Sequence, residues 1–274
     1  MDNGRWGHAT WTELEALGLR RRGAGGSAPT PRGSHVVALL PVGAVEAHGP
    51  HLPLTTDVII ASAAAKAALP GLRALGLHPV ILPPLSYTPA PFAAGFSGTI
   101  SVRPATFSAL LADVAASLER QGVAALTVVN AHLDPAHLGA INQVARSSGA
   151  ADAHAGSMPV VHPDLTRRRW ASRLTPEFRS GACHAGCYET SVVMAVAREL
   201  VRDEVRLGLA ENPASLSMAI RDGAATFEEA GVSEAYCGDP AAATPEEGER
   251  TVNTLARIVV DAVADRLGQT EVTS

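Results

Sequence analysis

Two stretches of this 274-residue chain concentrate carboxylate and imidazole side chains among glycine and proline. The first runs Gly43-Ala44-Val45-Glu46-Ala47-His48-Gly49-Pro50-His51-Leu52-Pro53-Leu54-Thr55-Thr56-Asp57, and the second Asn130-Ala131-His132-Leu133-Asp134. Carboxylate oxygens and neutral imidazoles together suit Zn, Mn or Fe. Glu46 and His48 are two apart, so on an extended segment they point to one side. Glycine and proline at 49, 50 and 53 then turn the chain and can return Asp57 to the same place. An aspartate that uses both oxygens can bridge two ions, which together clamp a substrate oxygen and activate a water. Taken singly, each residue is better explained as a cap or turn former; Asp57, at the start of a helix, would serve there as an N-cap without any metal. Four or five such groups at two strand ends shift the balance to a metal site.

A third segment, Cys183-His184-Ala185-Gly186-Cys187-Tyr188-Glu189-Thr190-Ser191, leads into a helix. His184 is a candidate catalytic proton shuttle, because imidazole titrates near neutral pH. Glu189 is a candidate metal ligand, a partner that orients one, or a carboxylate that complements a helix N-terminus. Two cysteines and one histidine within five residues lack the paired spacing of a structural zinc site. His137 is placed on the exposed start of a helix; with His35, His78, His154 and His162 it is read as structural.

These groups need a scaffold, and the pattern supplies one. Short apolar runs at 35–42, 79–82, 125–129 and 159–161 have the length and turn-bounded ends of buried strands. Helical patterns cover 58–69, 104–121, 135–146, 189–201 and 245–267, and Pro104 and Pro245 stand in first turns. A short helix at 11–17 has Thr10 as its N-cap. Strand and helix alternate, which predicts an α/β fold: a three-layer, mostly parallel sheet flanked by helices. In such sheets ligands bind beyond the carboxyl ends of strands, where both acidic stretches lie. Residues 1–34 are expected to hold the N-terminal helix and a flexible Gly/Pro/Ser-rich segment, and 35–274 a single catalytic domain.

Composition narrows the function classes. Charged residues make up 18% of the chain and the formal net charge is −5, so no basic surface for nucleic acid is expected. No apolar run reaches the roughly 18 residues of a membrane span. The N-terminus lacks a signal-peptide core. Three cysteines, an odd and sparse set, point to a reducing compartment, so a cytoplasmic enzyme is expected.

The run from Leu40 to Asp57 closely resembles the opening motif of the creatininase family. So do Gly98-Thr99-Ile100-Ser101, His184-Ala185-Gly186 with Glu189-Thr190-Ser191, and Gly238-Asp239-Pro240 with Ala243-Thr244 and Glu247-Gly248-Glu249-Arg250. The order and spacing hold from about residue 35 to the end. The resemblance implies a compact α/β fold, a centre of one or two divalent ions, an assembly that is often a hexamer, and hydrolysis of a C–N bond in a cyclic or linear amide. Carried over by position, Glu46, His48, Asp57 and His132 match family ligands, with Asp57 the bridge. The last carboxylate is either Asp134, two residues after the ligand histidine, or Glu189. The chain departs from the family's usual Asn-Gly-His-Gly-Gly-Asn at Asn130-Ala131-His132-Leu133-Asp134-Pro135. Cys187 stands where an acidic residue is common, and the 89–96 loop lacks the histidine often found there. These departures favour a specialised substrate, as for a biosynthetic peptidase or a deformylase, over creatinine. They also leave room for a non-catalytic scaffold.

Overall fold

A computed structural model describes residues 4–19, 35–148, 157–182 and 184–269. The expected flexible segment, His154 and Cys183 lie outside the described residues. Four strands, β1 (Val36–Val42), β2 (His78–Ile81), β3 (Ala125–Asn130) and β4 (Val160–Val161), form one sheet in the order β2-β1-β3-β4, every pair parallel. The helices among the described residues are α1 (Trp11–Ala16), α2 (Thr56–Ala74), α3 (Pro104–Gln121), α4 (Pro135–Ser147), α5 (Arg168–Ala171), α6 (Pro176–Ser180), α7 (Cys187–Val196), α8 (Asp203–Leu207), α9 (Leu216–Arg221) and α10 (Pro245–Leu267). None is long and apolar enough to cross a membrane.

The period of two along β1 divides its side chains between two cores. Val37 and Leu39 pack with residues of α2 and α10 on one face. Val36, Ala38, Leu40 and Val42 pack with residues of α3 and α4 on the other. Both faces are therefore covered, as the uninterrupted apolar runs require. Trp6, Leu14, Leu17 and Leu19 join the second core, so the described N-terminal residues sit on the domain.

Local signals set several helix ends. Thr10 makes a capping box with Glu13 at α1. The α3 helix starts on Pro104 and stops at Gly122, whose φ of +88° is open to glycine at no steric cost. Two helices differ from the expected bounds. The α2 helix runs past Leu69 through Pro70 to Ala74. Pro70 and Lys66 face solvent, so the carbonyl that loses its intrahelical partner meets water. The α7 helix breaks at Ala197 instead of continuing to Val201, and a single 3-10 turn at Arg198–Leu200 follows.

The site depends above all on the pairing of β1 with β3. Val42 lies opposite Asn130, and the Ala131 N–H donates to the Val42 carbonyl at 3.2 Å. The loops that leave these strands therefore emerge side by side at the carboxyl edge.

Candidate metal centre

The loop after β1 is held in shape by its backbone. The Glu46 N–H donates to the Leu54 carbonyl at 2.9 Å, closing the turn. Asp57 is not the N-cap of α2, a position Thr55 occupies; it sits inside the first helical turn, buried, and its Oδ2 accepts the Ala44 N–H at 3.1 Å. Gly43 permits this approach, since a Cβ there would lie 2.5 Å from Asp57 Cβ. The loop after β3 is held by Asn130, whose amide donates to the His132 carbonyl at 2.6 Å and accepts the His132 N–H at 3.2 Å. The α7 N-terminus brings the third element, and there the Ala185 N–H donates to Glu189 Oε2 at 2.6 Å.

Five side chains meet at this point. His48 Nε2 lies 3.2 Å from Asp57 Oδ1, 3.6 Å from Glu189 Oε2 and 4.0 Å from Glu46 Oε1. His132 Nδ1 lies 3.0 Å from Glu46 Oε1 and 3.1 Å from Asp57 Oδ2. All five are buried. Asp57 turns one oxygen to each imidazole, as a bridging carboxylate must.

The hydrogen bonds fix which nitrogen of each ring is free. A carbonyl can only accept, so His48 Nδ1, 3.1 Å from the Glu46 carbonyl, carries a proton, as does His132 Nε2, 2.8 Å from the Pro89 carbonyl. In a neutral ring the inward nitrogen then presents a lone pair to carboxylate lone pairs. Only a proton or a metal cation placed between them makes such a cluster stable. Without a cation, burial would depress the His48 pKa, but Asp57, Glu189 and Glu46 together outweigh it and raise it to about 10. His132 is raised well above its ordinary value in the same way, against burial, chiefly by Glu46 and Asp57. Burial works against ionisation of Asp57, yet the two imidazoles hold its pKa well below the usual carboxylate range. Burial raises Glu189 to about 8 despite the pull of His48. The donor set suits one or two divalent ions: Glu46, Asp57 and His132 have ligand atoms close together, as do His48, Asp57 and Glu189.

His184 stands at the edge of this cluster. Its Nε2 donates to the Ala47 carbonyl at 2.9 Å, which leaves Nδ1 as the accepting atom. Its ring lies 4.3 Å from that of His48 and 4.5 Å from that of Phe227. Burial, with the charge of His48, keeps its pKa well below 6.5, so the ring is neutral.

Asp134 lies nearby but is differently employed. Its Oδ1 caps α4 by accepting the Ala136 N–H at 2.8 Å, and its Oδ2 accepts the Phe92 N–H at 3.3 Å. It joins no close group of ligand atoms among the described residues. The Cys187 thiol faces Ser191 and Glu247 instead of the cluster, and burial pushes its pKa up to about 12.

One placement expected from sequence is corrected. His137 is not exposed; it is fully buried, and its Nε2 lies 2.9 Å from Asn130 Oδ1. The pattern carried the signal, since His137, Ala140, Ile141 and Val144 fall on one buried helical stripe. Sequence reasoning also missed Glu177, whose carboxylate accepts the N–H groups of Cys187, Tyr188 and Asp239 at 3.0, 2.7 and 2.8 Å and so ties down the start of α7. No motif marks it. A cavity of about 220 Å³ opens on the cluster: Glu46, Asp57, His132, Asp134, His184 and Glu189 line it, with Phe92, Leu133, Leu138, Leu216, Ile220 and Phe227 as apolar walls and Thr166 and Ser217 between them.

Comparison with known proteins places the chain in a family. The sequence profile of one family, described as creatinine amidohydrolase, matches residues 27–263. The chain belongs to the creatininase family. Within it, the mycofactocin precursor peptide peptidase of Mycolicibacterium smegmatis is 30% identical over 234 residues, 84% of each chain. That of Mycobacterium tuberculosis is 32% identical over 236 residues, 82% of this chain and 84% of the other. The creatinine amidohydrolase of Pseudomonas putida is 32% identical over 133 residues, 47% of this chain and 44% of that one. Among solved structures, a creatinine amidohydrolase superposes with a TM-score of 0.72 at 24% identity, covering 98% of this chain and all of the other. The sheet and its flanking helices are thus the creatininase fold, and the protein is a hydrolase of that family.

Proposed function

We propose that the protein hydrolyses an amide bond in a peptide-like substrate, using one or two divalent ions held by Glu46, His48, Asp57, His132 and Glu189. The observation that carries this reading is the pair of imidazoles whose only free nitrogens point into three buried carboxylates. Solved creatininase structures include zinc and manganese forms, and Zn, Mn or Fe suits the same donors here. When bound, such an ion lowers the pKa of a water and polarises an amide carbonyl. Asp57 spans both halves of the site. Glu189, and not Asp134, completes the set, because both oxygens of Asp134 are engaged by backbone N–H groups. His184 takes up a proton at Nδ1 and returns it to the departing amide nitrogen, a task its neutral state and its fixed Nε2–H suit.

The walls favour a peptide-like substrate over creatinine. Among the described residues no lysine or arginine lines the cavity, and away from the metal cluster its walls are chiefly apolar. A substrate with an uncharged, apolar group beside the scissile amide would bury that group against Leu138, Leu216, Ile220 and Phe227. The relatives that align over most of the chain are peptidases by name, whereas the creatinine amidohydrolase aligns over less than half. The same proposal includes a cytoplasmic homo-oligomer; Leu54, Tyr87 and Ile100 offer exposed apolar surface for self-association. The test is a hydrolysis panel on zinc-, manganese- or iron-loaded protein: peptides with apolar or charged residues at the scissile bond, creatinine and formamide-type substrates. Cleavage of apolar peptides that ceases on chelation supports the proposal. Formate release, or creatinine turnover without peptide cleavage, reassigns the substrate, and inertness with all three metals leaves the scaffold reading.

A further inference from the structure

Beneath His132 lies a buried group that the chemistry above does not use. Asn130 ends β3 and grips the His132 backbone at both its N–H and its carbonyl. That reciprocal grip identifies Oδ1 as the oxygen of the amide. His137 Nε2, 2.9 Å from this oxygen, must therefore carry a proton and donate it. The His137 ring lies against that of His132, with centroids 4.8 Å apart, and against that of Phe107, at 4.9 Å. Its Nδ1 is buried with no partner. A buried polar atom without a partner is a cost, and an apolar residue would fill this stripe of α4 beside Ala140, Ile141 and Val144 without incurring it. The fold tolerates the histidine where packing alone argues against it.

We propose that His137 is a positioning residue of the metal centre: through Asn130 and through the face of the His132 ring, it holds His132 Nδ1 on Glu46 and Asp57. His132 is fixed at three points. Asn130 sets its backbone, the Pro89 carbonyl takes its outer N–H, and His137 stops the ring from tilting between them. Loss of a group that orients a ligand in this way typically costs about 10- to 100-fold in metal affinity. The inference rests on the metal-centre reading given above.

The experiment compares full-length wild type with His137→Phe, His137→Asn and His137→Gln. Zinc affinity is read by chelator competition and ligand geometry by the visible spectrum of the cobalt(II)-loaded protein, with melting of the metal-free protein measured alongside. Phenylalanine keeps the ring but loses the donor, and asparagine keeps an amide that falls short of Asn130. Glutamine places an amide nitrogen near the position of Nε2. His137→Phe and His137→Asn are expected to weaken zinc binding by about 10- to 100-fold and to shift the cobalt spectrum, while His137→Gln recovers to within about threefold of wild type. Should His137→Phe fail to fold, the asparagine and glutamine variants decide the matter between them. A melting point lowered in the variants, with zinc affinity and cobalt spectrum unchanged, overturns the proposal. Wild type that binds no zinc or cobalt overturns the metal centre itself, a result distinct from variants that bind as well as wild type.

Discussion

Gly248 offers a direct test of how the fold supports the site. It lies on α10 where that helix crosses α7, and a Cβ at this position would stand 1.9 Å from the Ser191 carbonyl oxygen and 2.8 Å from Ala195 Cβ. An ordinary close C···O approach is about 3.3–3.6 Å, so Gly248→Ala must part the two helices by roughly 1.4 Å. Both belong to the packed region around the sheet, and neither obstacle is a flexible side-chain end. The expected penalty is about 3 kcal/mol, at the upper end of overpacking costs, and a melting temperature lower by roughly 6–12 °C. Ser191 is two residues beyond Glu189, so the displacement also reaches the cluster. A misplacement of about 1 Å there lowers kcat by roughly 100-fold. The control is Gly139→Ala on the exposed face of α4, where a Cβ meets nothing within 4 Å. There alanine stabilises a helix interior by about 0.5–1 kcal/mol. Calorimetry on metal-free and metal-loaded forms, with kcat on an apolar peptide, reads both variants. A neutral or stabilising Gly248→Ala would refute the close α7–α10 crossing and its link to Glu189.

Three further outcomes follow from the cluster. Glu189→Gln is expected to weaken metal binding by about 10-fold or more, whereas Asp134→Ala leaves metal affinity within a few-fold and lowers the melting temperature, since one residue is placed as a ligand and the other as a helix cap; equilibrium dialysis separates the two, and the reverse ranking would move the ligand to Asp134. Metal binding at pH 7 is expected to release more than one proton, because the surrounding carboxylates hold His48 and His132 protonated without a cation and burial disfavours the charged form of Glu189. The sign follows: affinity rises with pH, steeply up to about pH 8, where the Glu189 proton leaves, and less steeply above it. Titration calorimetry in buffers of different ionisation enthalpy counts the protons, and release of fewer than one would contradict the arrangement. His184→Gln is expected to keep bound metal at wild-type stoichiometry while kcat falls by roughly 10²–10⁴-fold; metal loss in this variant would make His184 a ligand instead.

What the sequence revealed about this site was what short-range chemistry encodes. Thr10, Pro104, Pro135 and Pro245 marked helix starts, because capping and a missing N–H act within one turn. Apolar runs bounded by turns located the four strands of the described residues, and parallel pairing then placed the Glu46–Asp57 loop beside His132. The remainder depended on contacts between distant segments. Nothing local to Asp134 or Glu189 tells which one faces His48; the Phe92 N–H and the Ala136 N–H decide it for Asp134. The sequence alone places His137 at an exposed helix start, yet that turn lies against the end of β3, where His137 Nε2 meets Asn130 Oδ1. Glu177 is set apart by nothing but the three backbone donors that converge on it. The α7 break at Ala197 likewise has no glycine or proline to announce it.

Anomalous diffraction from crystals grown with zinc or manganese tests the central claim most directly. Density between His48, Asp57 and Glu189, and between Glu46, Asp57 and His132, is the expected result, with Asp57 common to both positions and Asp134 still capping α4. A cluster that holds only protons under saturating metal, or metal bound elsewhere in the molecule, would contradict it.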